Sequence, residues 1–321
     1  MKIAVYNCRP DEVAFFEQYA KEYGAELKAL DFVPLTAGTA HLAAGCDAVS
    51  IITTPVGREI LDIWHGLGVR VISTRTVGYE HVDTAYAASL GIPVANVSYT
   101  PNTVAEYTVM AILMCLRRMK TIMVRYAGQD FSLADIRGRE LKNLTVGVIG
   151  TGRIGQAVIR DLSGFGCRIL AQDCFESPAV SPYAQYVDRD TLLAQSDVVT
   201  IHVPSTPDTV HMINRDSIAK MKDGAIFINM ARGSLVDTGA LIDALESRKI
   251  SAAALDVVEG ETAIYYKDYK YTPTGHHDMA VLQAMPNVLM TPHTAFFTDE
   301  AVGDMVRYSI QYCVDTFKRL Q

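Results

Sequence analysis

The chain has 321 residues, 49% of them hydrophobic, and a formal net charge of −7 at pH 7. A chain of this length and composition is predicted to fold into globular domains and has room for two of them. The negative charge and the lack of any run of Lys and Arg residues argue against a nucleic-acid or membrane partner, because both need a basic surface.

The N-terminal segment and the cysteines predict a cytoplasmic protein. The segment MKIAVYNCRPDE indicates a short strand followed by charged residues, without the apolar core and cleavage site of a signal peptide. The six cysteines form no C-x-x-C pair and no cluster with histidine at metal-ligand spacing, so we expect reduced thiols. His276 and His277 are adjacent on a polar loop and are expected to be solvated, so no metal is predicted.

The part of the chain before Pro101 alternates strand-like and helix-like segments. Helix patterns cover Asp11 to Tyr23 and Val82 to Leu90. The apolar runs that predict strands are KIAVYN, AVSIIT, VRVISTR and PVANV. This alternation is typical of a parallel sheet flanked by helices.

A long apolar helix is predicted next, from Val104 to about Met123. Charged residues at Arg117, Arg118 and Lys120 interrupt its apolar run, which is too short to span a bilayer. We therefore expect a buried helix that links two domains, with the crossing in the preceding loop of residues 99–103.

The same alternation resumes after this helix with near-continuous apolar strands, which are typical of a sheet covered on both faces. These strands are TVGVIG, CRILAQD, VVTIHV, AIFINM, AAALDV and NVLMTP. The last stretch, Glu300 to Arg319, predicts one amphipathic helix that returns to the first domain. The predicted fold is α/β, with two doubly wound, Rossmann-like parallel sheets and a cleft between them. Residues 1–99 and 297–321 are predicted to form a substrate domain, into which a cofactor domain of residues 100–296 is inserted.

A glycine-rich turn lies between the strand of residues 145–149 and the helix predicted to begin near Arg153. Gly150, Gly152 and Gly155 have the G-x-G-x-x-G spacing of a dinucleotide-binding turn. The first glycine permits the tight turn, the second lets the backbone approach a pyrophosphate, and the third lets helix and strand pack closely. The helix N-terminus, with Arg153 and Ile154, favours an anion there.

The acid that follows the next strand indicates which dinucleotide binds. Asp173 lies about 20 residues beyond the turn, where a carboxylate can accept hydrogen bonds from the adenosine ribose and repels a 2′-phosphate. Cys174, Phe175 and Glu176 provide no cation for that phosphate. The sequence therefore favours NAD over NADP.

Three polar residues follow strands of the cofactor domain, at the end of the sheet where ligands bind. They are Arg232, Glu261 and His293. A guanidinium binds a carboxylate with two hydrogen bonds, and a histidine oriented by a carboxylate donates a proton. This set suits the reduction of a 2-oxo acid, with the hydride supplied by the nicotinamide.

These motifs resemble the D-2-hydroxyacid dehydrogenase family, and the resemblance covers essentially the full chain. It is carried by GTGRIG, by MARG at residues 230–233, by LDVVEGE at 255–261 and by PHTA at 292–295. Within the family, the segments RTVGYEHVD, SYTPNTVAEYT, HVPSTPDTVHMIN and TPHTAFFT are most similar to the D-lactate dehydrogenases and their vancomycin-resistance relatives.

The resemblance implies NAD-dependent reduction of a 2-oxo acid to the (R)-2-hydroxy acid. It implies that Arg232 binds the substrate carboxylate, that His293 is the acid/base, and that Glu261 is its partner. Glu259 is then expected to be a solvated surface residue. A homodimer formed through helices of the cofactor domain, including the crossing helix, is implied as well.

Other positions are assigned by motif. The resemblance gives Val77 and Gly78 as the backbone turn for the substrate carboxylate, and Tyr99 as the aromatic residue beside it. Tyr99 as part of the domain interface, and Asp256 as a strand-end cap, are equally open alternatives. The implied cofactor contacts beyond the glycine motif are Val203, Pro204, Thr209, Met230, Ala231, Arg232 and Asp256.

One departure from the family bears on substrate size. The chain has Ile52 where lactate dehydrogenases of this group tend to have a tyrosine, in a setting expected to be wholly apolar. This favours larger branched or aromatic 2-oxo acids, such as 2-oxoisocaproate or phenylpyruvate, over pyruvate. Phe296 either adds an aromatic wall or belongs to the core.

Two other functions stay open at this point. A non-enzymatic NAD-binding regulator has the same fold, although the chain lacks the long tails expected of such a protein. A 3-phosphoglycerate dehydrogenase relative is expected to carry a regulatory domain or a basic phosphate pocket, and the sequence shows neither.

Overall fold

A computed structural model describes residues 1–31 and 33–321, without the side chains of Leu30 and Asp31. The chain divides into two compact units, residues 1–100 with 297–321 (unit 1) and residues 101–296 (unit 2). Thr100, which we predicted in the second domain, lies in unit 1, where its N–H donates a hydrogen bond to Asp304 over 3.3 Å.

Each unit contains one parallel sheet, which confirms the predicted α/β class. The strands of unit 1 are β1 Lys2–Cys8, β2 Glu26–Asp31, β3 Ala48–Ile51, β4 Val71–Thr74 and β5 Val94–Ala95. Those of unit 2 are β6 Thr145–Ile149, β7 Arg168–Gln172, β8 Gln185–Tyr186, β9 Val198–Ile201, β10 Ala225–Asn229, β11 Ile250–Leu255 and β12 Val288–Met290.

Helices connect the strands. In unit 1 they are α1 Val13–Tyr23, α2 Ala37–Ala40, α3 Arg58–Gly66, α4 Thr84–Ser89 and the C-terminal α12 Asp299–Arg319. In unit 2 they are α5 Asn102–Leu116, α6 Met119–Ala127, α7 Arg153–Ser163, α8 Arg189–Gln195, α9 Arg215–Lys220, α10 Thr238–Glu246 and α11 His277–Ala284.

The sheet of unit 1 has the order β2-β1-β3-β4-β5 and carries apolar clusters on both faces. Trp64 of α3 is fully buried in one cluster, and Val306 and Ile310 of α12 belong to the other. The C-terminal helix predicted from Glu300 to Arg319 is therefore confirmed, one residue longer, and it belongs to unit 1.

A fully buried ion pair lies inside unit 1. The guanidinium of Arg75, directly after β4, donates to the Glu12 carboxylate over 2.8 Å and to the Ser50 hydroxyl over 3.0 Å. It also donates to the main-chain carbonyls of Tyr6 and Asn7. The side chains of Arg75 and Glu12 have no solvent exposure, so their attraction is screened little by water. The pair fixes the chain just before the turn at residues 76–78.

The sheet of unit 2 has the order β12-β11-β10-β9-β6-β7-β8. Successive strands are added outward from β6 to β8 on one side and from β9 to β12 on the other, so the strand order reverses between β6 and β9. Ligands of such sheets bind at the carboxyl ends of the strands, at this reversal. The core on one face contains buried side chains of the central strands, such as Val199 and Phe227.

The predicted helix from Val104 to Met123 is wrong in its extent. The structure has two helices, α5 and α6, separated at Arg118, whose backbone is left-handed with φ of 52°. The side chain of Lys120, at the start of α6, donates to the carbonyls of Met285 and Val288, each over 2.7 Å. These bonds tie the start of α6 to residues 285–288. Among the described residues, none of the helices is long and apolar enough to cross a membrane.

Breaking the buried pair is expected to destabilise unit 1. Glu12→Gln leaves the Arg75 charge buried without its counter-charge, which costs about 3–5 kcal/mol of the free energy of unfolding. Urea unfolding followed by the fluorescence of Trp64, the single tryptophan of the chain, measures this loss in unit 1. Glu26→Gln, which removes the exposed Lys2–Glu26 pair, is the control and should leave the midpoint nearly unchanged. Equal midpoints for the two variants would contradict the prediction.

Candidate active site

The three glycines of the turn after β6 have different surroundings, because two are packed closely by the protein and the third faces open space. A side chain at Gly150, which has φ of 91°, would place Cβ 2.6 Å from the carbonyl oxygen of His202, and a Cβ at Gly155 would collide with the carbonyl of Gly150. The packing of the main chain around this turn therefore requires glycine at both positions.

Gly152 differs, because a Cβ there would meet no described atom within 4 Å. It is the N-cap of α7, which begins at Arg153 and continues with Ile154, and its backbone is extended. The space beside it lies at a helix N-terminus, where N–H groups and the helix dipole favour an anion. The turn therefore fits the pyrophosphate of a dinucleotide.

Asp173 follows β7 and faces the same turn. Its Oδ2 accepts hydrogen bonds from the N–H of Thr151 over 2.5 Å and from the Thr151 hydroxyl over 3.1 Å, and its Oδ1 accepts from the N–H of Phe175. Burial raises the pKa of Asp173, but these hydrogen bonds outweigh it and hold the pKa below its ordinary value. The carboxylate is charged at neutral pH, which suits ribose hydroxyls and disfavours a phosphate.

The loop after β9 carries three predicted cofactor contacts. The Thr209 hydroxyl donates to the carbonyl of Pro204 over 2.8 Å and accepts from the N–H of Thr206 over 2.8 Å. These bonds close the loop on itself, while Val203 is half-buried beside the core. The preceding His202 was missed in the sequence, and its removal from water lowers its pKa to about 4, so it is neutral near pH 7.

Arg232 lies just beyond β10, after the buried Met230 and the half-buried Ala231. The Asn229 side chain accepts from the N–H of Ala231 over 3.0 Å and donates to the carbonyl of Arg232 over 2.8 Å. Asn229 thus shapes the bend that presents the guanidinium. The sequence pattern did not single it out, because an Asn at a strand end is common in turns.

Asp256, after β11, is fully buried and organises the segment after β12. Its Oδ1 accepts from the Thr291 hydroxyl over 2.6 Å and from the N–H of Thr294 over 2.8 Å, and its Oδ2 accepts from the N–H of Ala295 over 2.8 Å. Its carbonyl accepts from the N–H of His293 over 2.8 Å. The structure thus gives Asp256 the strand-end role left open above, and its contact with the cofactor stays a prediction.

His293 and Glu261 lie 32 residues apart in the chain and form a direct pair. The distance from His293 Nδ1 to Glu261 Oε1 is 2.6 Å, and the other carboxylate oxygen accepts from the N–H of Val258 over 2.6 Å. The two side chains are 30% and 14% exposed, so the contact is only partly screened by water. His293 has φ of 54°, a left-handed backbone that an L-residue adopts only when its surroundings hold it there.

Two aromatic residues flank the imidazole of His293. The Phe296 ring meets it edge to face at 6.2 Å between centroids, and the Tyr266 ring lies at 6.4 Å. The Tyr266 hydroxyl also donates to the carbonyl of His293 over 2.9 Å. No sequence pattern pointed to Tyr266, since it lies in an irregular loop.

Two expectations about neighbouring residues are wrong. Glu259 is not merely solvated, because its carboxylate lies 2.6 Å from His211 Nε2 and accepts from the hydroxyl of Thr238 over 2.8 Å. His276 is the N-cap of α11, accepting from the N–H of Met279, and its Nε2 lies 2.7 Å from the Glu259 carbonyl. Within residues 1–31 and 33–321, no group of three or more His, Cys, Asp and Glu residues could hold a metal ion.

In unit 1, Val77 and Gly78 form a turn whose carbonyls are both bonded. The Val77 carbonyl accepts from the Asn96 side chain over 2.5 Å, and the Gly78 carbonyl accepts from the Thr76 hydroxyl over 2.6 Å. Among the described residues, the N–H groups of Val77 and Gly78 have no hydrogen-bond partner. An anion such as a carboxylate suits these two donors.

The other predicted substrate residues of unit 1 are Ile52 and Tyr99, and both are half-buried. Ile52 directly follows β3, and its carbonyl accepts from the Thr74 hydroxyl over 3.1 Å. The prediction of a wholly apolar setting concerns the Ile52 side chain, and it stays a prediction.

Comparisons with known proteins agree with this geometry. Residues 109–295 match the model of the D-isomer specific 2-hydroxyacid dehydrogenase NAD binding domain. A D-specific alpha-keto acid dehydrogenase of Enterococcus faecalis is 42% identical, over 100% of this chain and 98% of that protein. An aromatic 2-oxoacid reductase of Clostridium sporogenes is 41% identical, over 97% and 94%.

A solved structure also has this fold. The NAD complexed form of the D-isomer specific 2-hydroxyacid dehydrogenase of Lactobacillus delbrueckii ssp. bulgaricus is similar with a TM-score of 0.87 and 35% identity, over 99% of this chain and 98% of that chain. These matches favour the enzyme over the regulator. The chain therefore belongs to the D-isomer specific 2-hydroxyacid dehydrogenase family, and it is an NAD-dependent oxidoreductase that reduces 2-oxo acids to 2-hydroxy acids.

Proposed function

We propose that His293 is the proton donor of this reduction, that Glu261 orients and stabilises it, and that Arg232 binds the substrate carboxylate. The observation that carries the proposal is the 2.6 Å contact between His293 Nδ1 and Glu261 Oε1. A carboxylate on Nδ1 fixes the orientation of the ring and leaves Nε2 to give its proton to the substrate oxygen. Bound NADH supplies the hydride.

The surroundings hold this pair in place before substrate binds. The N–H of Val258 occupies one oxygen of Glu261, so the other oxygen is held toward the imidazole. Asp256 and Tyr266 fix the main chain of His293 from its N–H and its carbonyl. A proton donor held in this way loses little conformational entropy when it reaches its reactive position.

Arg232 is proposed to bind the substrate carboxylate. A guanidinium has five N–H donors, and the Arg232 guanidinium also donates to the carbonyl of Ala231 over 2.8 Å. Its charge polarises a carbonyl and its planar fork matches a carboxylate. The N–H groups of Val77 and Gly78, with Tyr99 beside them, are proposed to bind the same kind of anion.

We propose that the preferred substrates are larger than pyruvate, namely branched or aromatic 2-oxo acids. Ile52 supports this, because an aliphatic side chain at this position leaves more space than a tyrosine. The half-buried Phe296 supports an aromatic surface near His293. The reductase of Clostridium sporogenes, whose name specifies aromatic 2-oxo acids, is 41% identical to this chain.

We also propose that the protein is a cytoplasmic homodimer that contacts its partner through α6 and the segment after it. All six cysteines are free thiols, which suits a reducing compartment. The apolar side chains Val124, Tyr126, Phe131 and Leu133 are 68–84% exposed, and exposed apolar patches of this kind mark interfaces.

Removing the proton donor or its partner is expected to lower the rate. His293→Ala should lower kcat by about 10²–10⁴-fold, the contribution of a general acid. Glu261→Gln replaces the carboxylate that holds Nδ1 of His293 with an amide, so kcat should fall by roughly tenfold or more with little change in KM, because a misplaced catalytic group loses rate rather than binding.

The consumption of NADH, followed by absorbance, gives both results. Glu246→Gln, on the surface of α10, is the control and should keep wild-type kcat. Wild-type kcat in Glu261→Gln would remove the proposed role of Glu261.

Ile52 is expected to set substrate size. Ile52→Tyr should raise the ratio of kcat/KM for pyruvate to that for phenylpyruvate by roughly 10–100-fold, since a small steric change in a pocket is worth about 1–3 kcal/mol. Initial rates on pyruvate, 2-oxobutyrate, 2-oxoisocaproate and phenylpyruvate measure this. The neighbouring exposed Thr53→Tyr is the matched control, and an equal shift in both variants would contradict the assignment.

The dimer is tested by light scattering after size exclusion. The protein should have twice the mass of one chain, and the double variant F131S/L133S should dissociate at micromolar concentration because the buried apolar area is lost. Tyr271→Ser, at a tyrosine that is 98% exposed in the same unit, should stay dimeric. A monomeric wild-type protein would refute the proposal.

A further inference from the structure

A second carboxylate and imidazole meet close to the pair of Glu261 and His293. His211 Nε2 lies 2.6 Å from Glu259 Oε1, with the side chains 45% and 35% exposed. The other oxygen of Glu259 accepts from the N–H and the hydroxyl of Thr238, the first residue of α10, over 3.2 and 2.8 Å. Glu259 therefore joins the loop between β9 and α9 to the start of α10.

The main chain of Glu259 is held from another side. Its carbonyl lies 2.7 Å from Nε2 of His276, whose Nδ1 caps α11. Gly260 follows with φ of 75°, and a Cβ there would lie 2.8 Å from that same Nε2. The main chain of residues 258–261 is thus held at Glu259 and bends sharply at Gly260. This bend directs the Glu261 side chain away from the side of the turn that Glu259 faces.

The same turn contacts the residues near both His293 and Arg232, which are predicted to be catalytic. The N–H of Val258 binds the Glu261 carboxylate, and Glu261 in turn holds His293. Gly233, the neighbour of Arg232, packs so closely on this peptide that a Cβ would lie 2.6 Å from the nitrogen of Glu259. A shift of the Val258–Glu259 peptide therefore displaces the partner of His293 and the residue next to Arg232 together.

We infer that Glu259 and His211 are a positioning pair, which holds the turn of residues 258–261 so that Glu261 reaches His293. The inference rests on the proposed roles of Glu261 and His293. Neither Glu259 nor His211 is assigned to the reacting atoms, and they act through the peptide that binds Glu261.

The pKa shifts of the two side chains agree with their pairing. The hydrogen bond that Glu259 accepts from His211, the charge of Glu259 and the nearby Asp237 raise the pKa of His211. Burial raises the pKa of Glu259, but the hydrogen bonds from His211 and Thr238 outweigh it and leave the pKa lowered. The contribution of His211 to stability is lost as pH rises through its raised pKa, and that of Glu259 is lost as pH falls through its lowered pKa. The charged pair is therefore intact between the lowered pKa of Glu259 and the raised pKa of His211.

The test uses the whole enzyme with NADH and the best 2-oxo acid, comparing Glu259→Gln and His211→Gln with wild type. Each variant should lower kcat by roughly tenfold with little change in KM, because a misplaced catalytic group loses rate rather than binding. His211→Lys keeps a cation opposite Glu259 and should restore most of the rate. Asp243→Asn, which breaks the exposed Arg215–Asp243 pair of the same unit, is the control and should keep wild-type kcat.

A double-mutant cycle separates positioning from general stability. If Glu259 acts through Glu261, E259Q/E261Q should have the same kcat as Glu261→Gln alone, since nothing remains to be positioned. Binding of NADH, followed by its fluorescence, confirms that each variant is folded. Wild-type kcat in both single variants, or losses that multiply independently in the double variant, would overturn the inference. If Glu261→Gln itself keeps full activity, the proposed function fails instead.

Discussion

The buried carboxylate of Asp256 is the interaction on which the arrangement of unit 2 depends. It lies at the end of β11, and its two oxygens bind the hydroxyl of Thr291 and the N–H groups of Thr294 and Ala295. A buried carboxyl group is tolerated only when hydrogen bonds replace its water, and here the segment after β12 provides them. That segment contains His293, so the requirement to satisfy one buried carboxyl group also places the proposed proton donor.

The two glutamates of the segment after β11 show how one short turn serves two purposes. Glu261 faces His293 and Glu259 faces His211, because Gly260 between them has a left-handed backbone that reverses the direction of the chain. The chemistry of the two pairs is nearly the same, a carboxylate 2.6 Å from an imidazole nitrogen. Their positions differ, since the turn places only Glu261 beside the residue that follows β12.

Sequence patterns predicted the central strands of both sheets and missed two of the four edge strands. The central strands, such as β6 and β10, are continuous apolar runs, which only a sheet covered on both faces accommodates. β2 and β8 were missed, because they lie at sheet edges and contain as many polar as apolar residues. The break between α5 and α6 was missed as well, since Lys120 is drawn to carbonyls about 165 residues further along the chain.

The sequence by itself determined the parallel α/β fold, the dinucleotide turn at Gly150–Gly155 and the residue types suited to oxo-acid reduction. These depend on local order, namely apolar period, glycine spacing and polar residues after strands. Only the tertiary structure decided which partner each polar residue has: Glu261 with His293, Glu259 with His211, and Asp256 with the segment after β12. Such partners are 32 to 48 residues apart, and a hydrogen bond over that separation is fixed by strand order and packing, which no local pattern encodes.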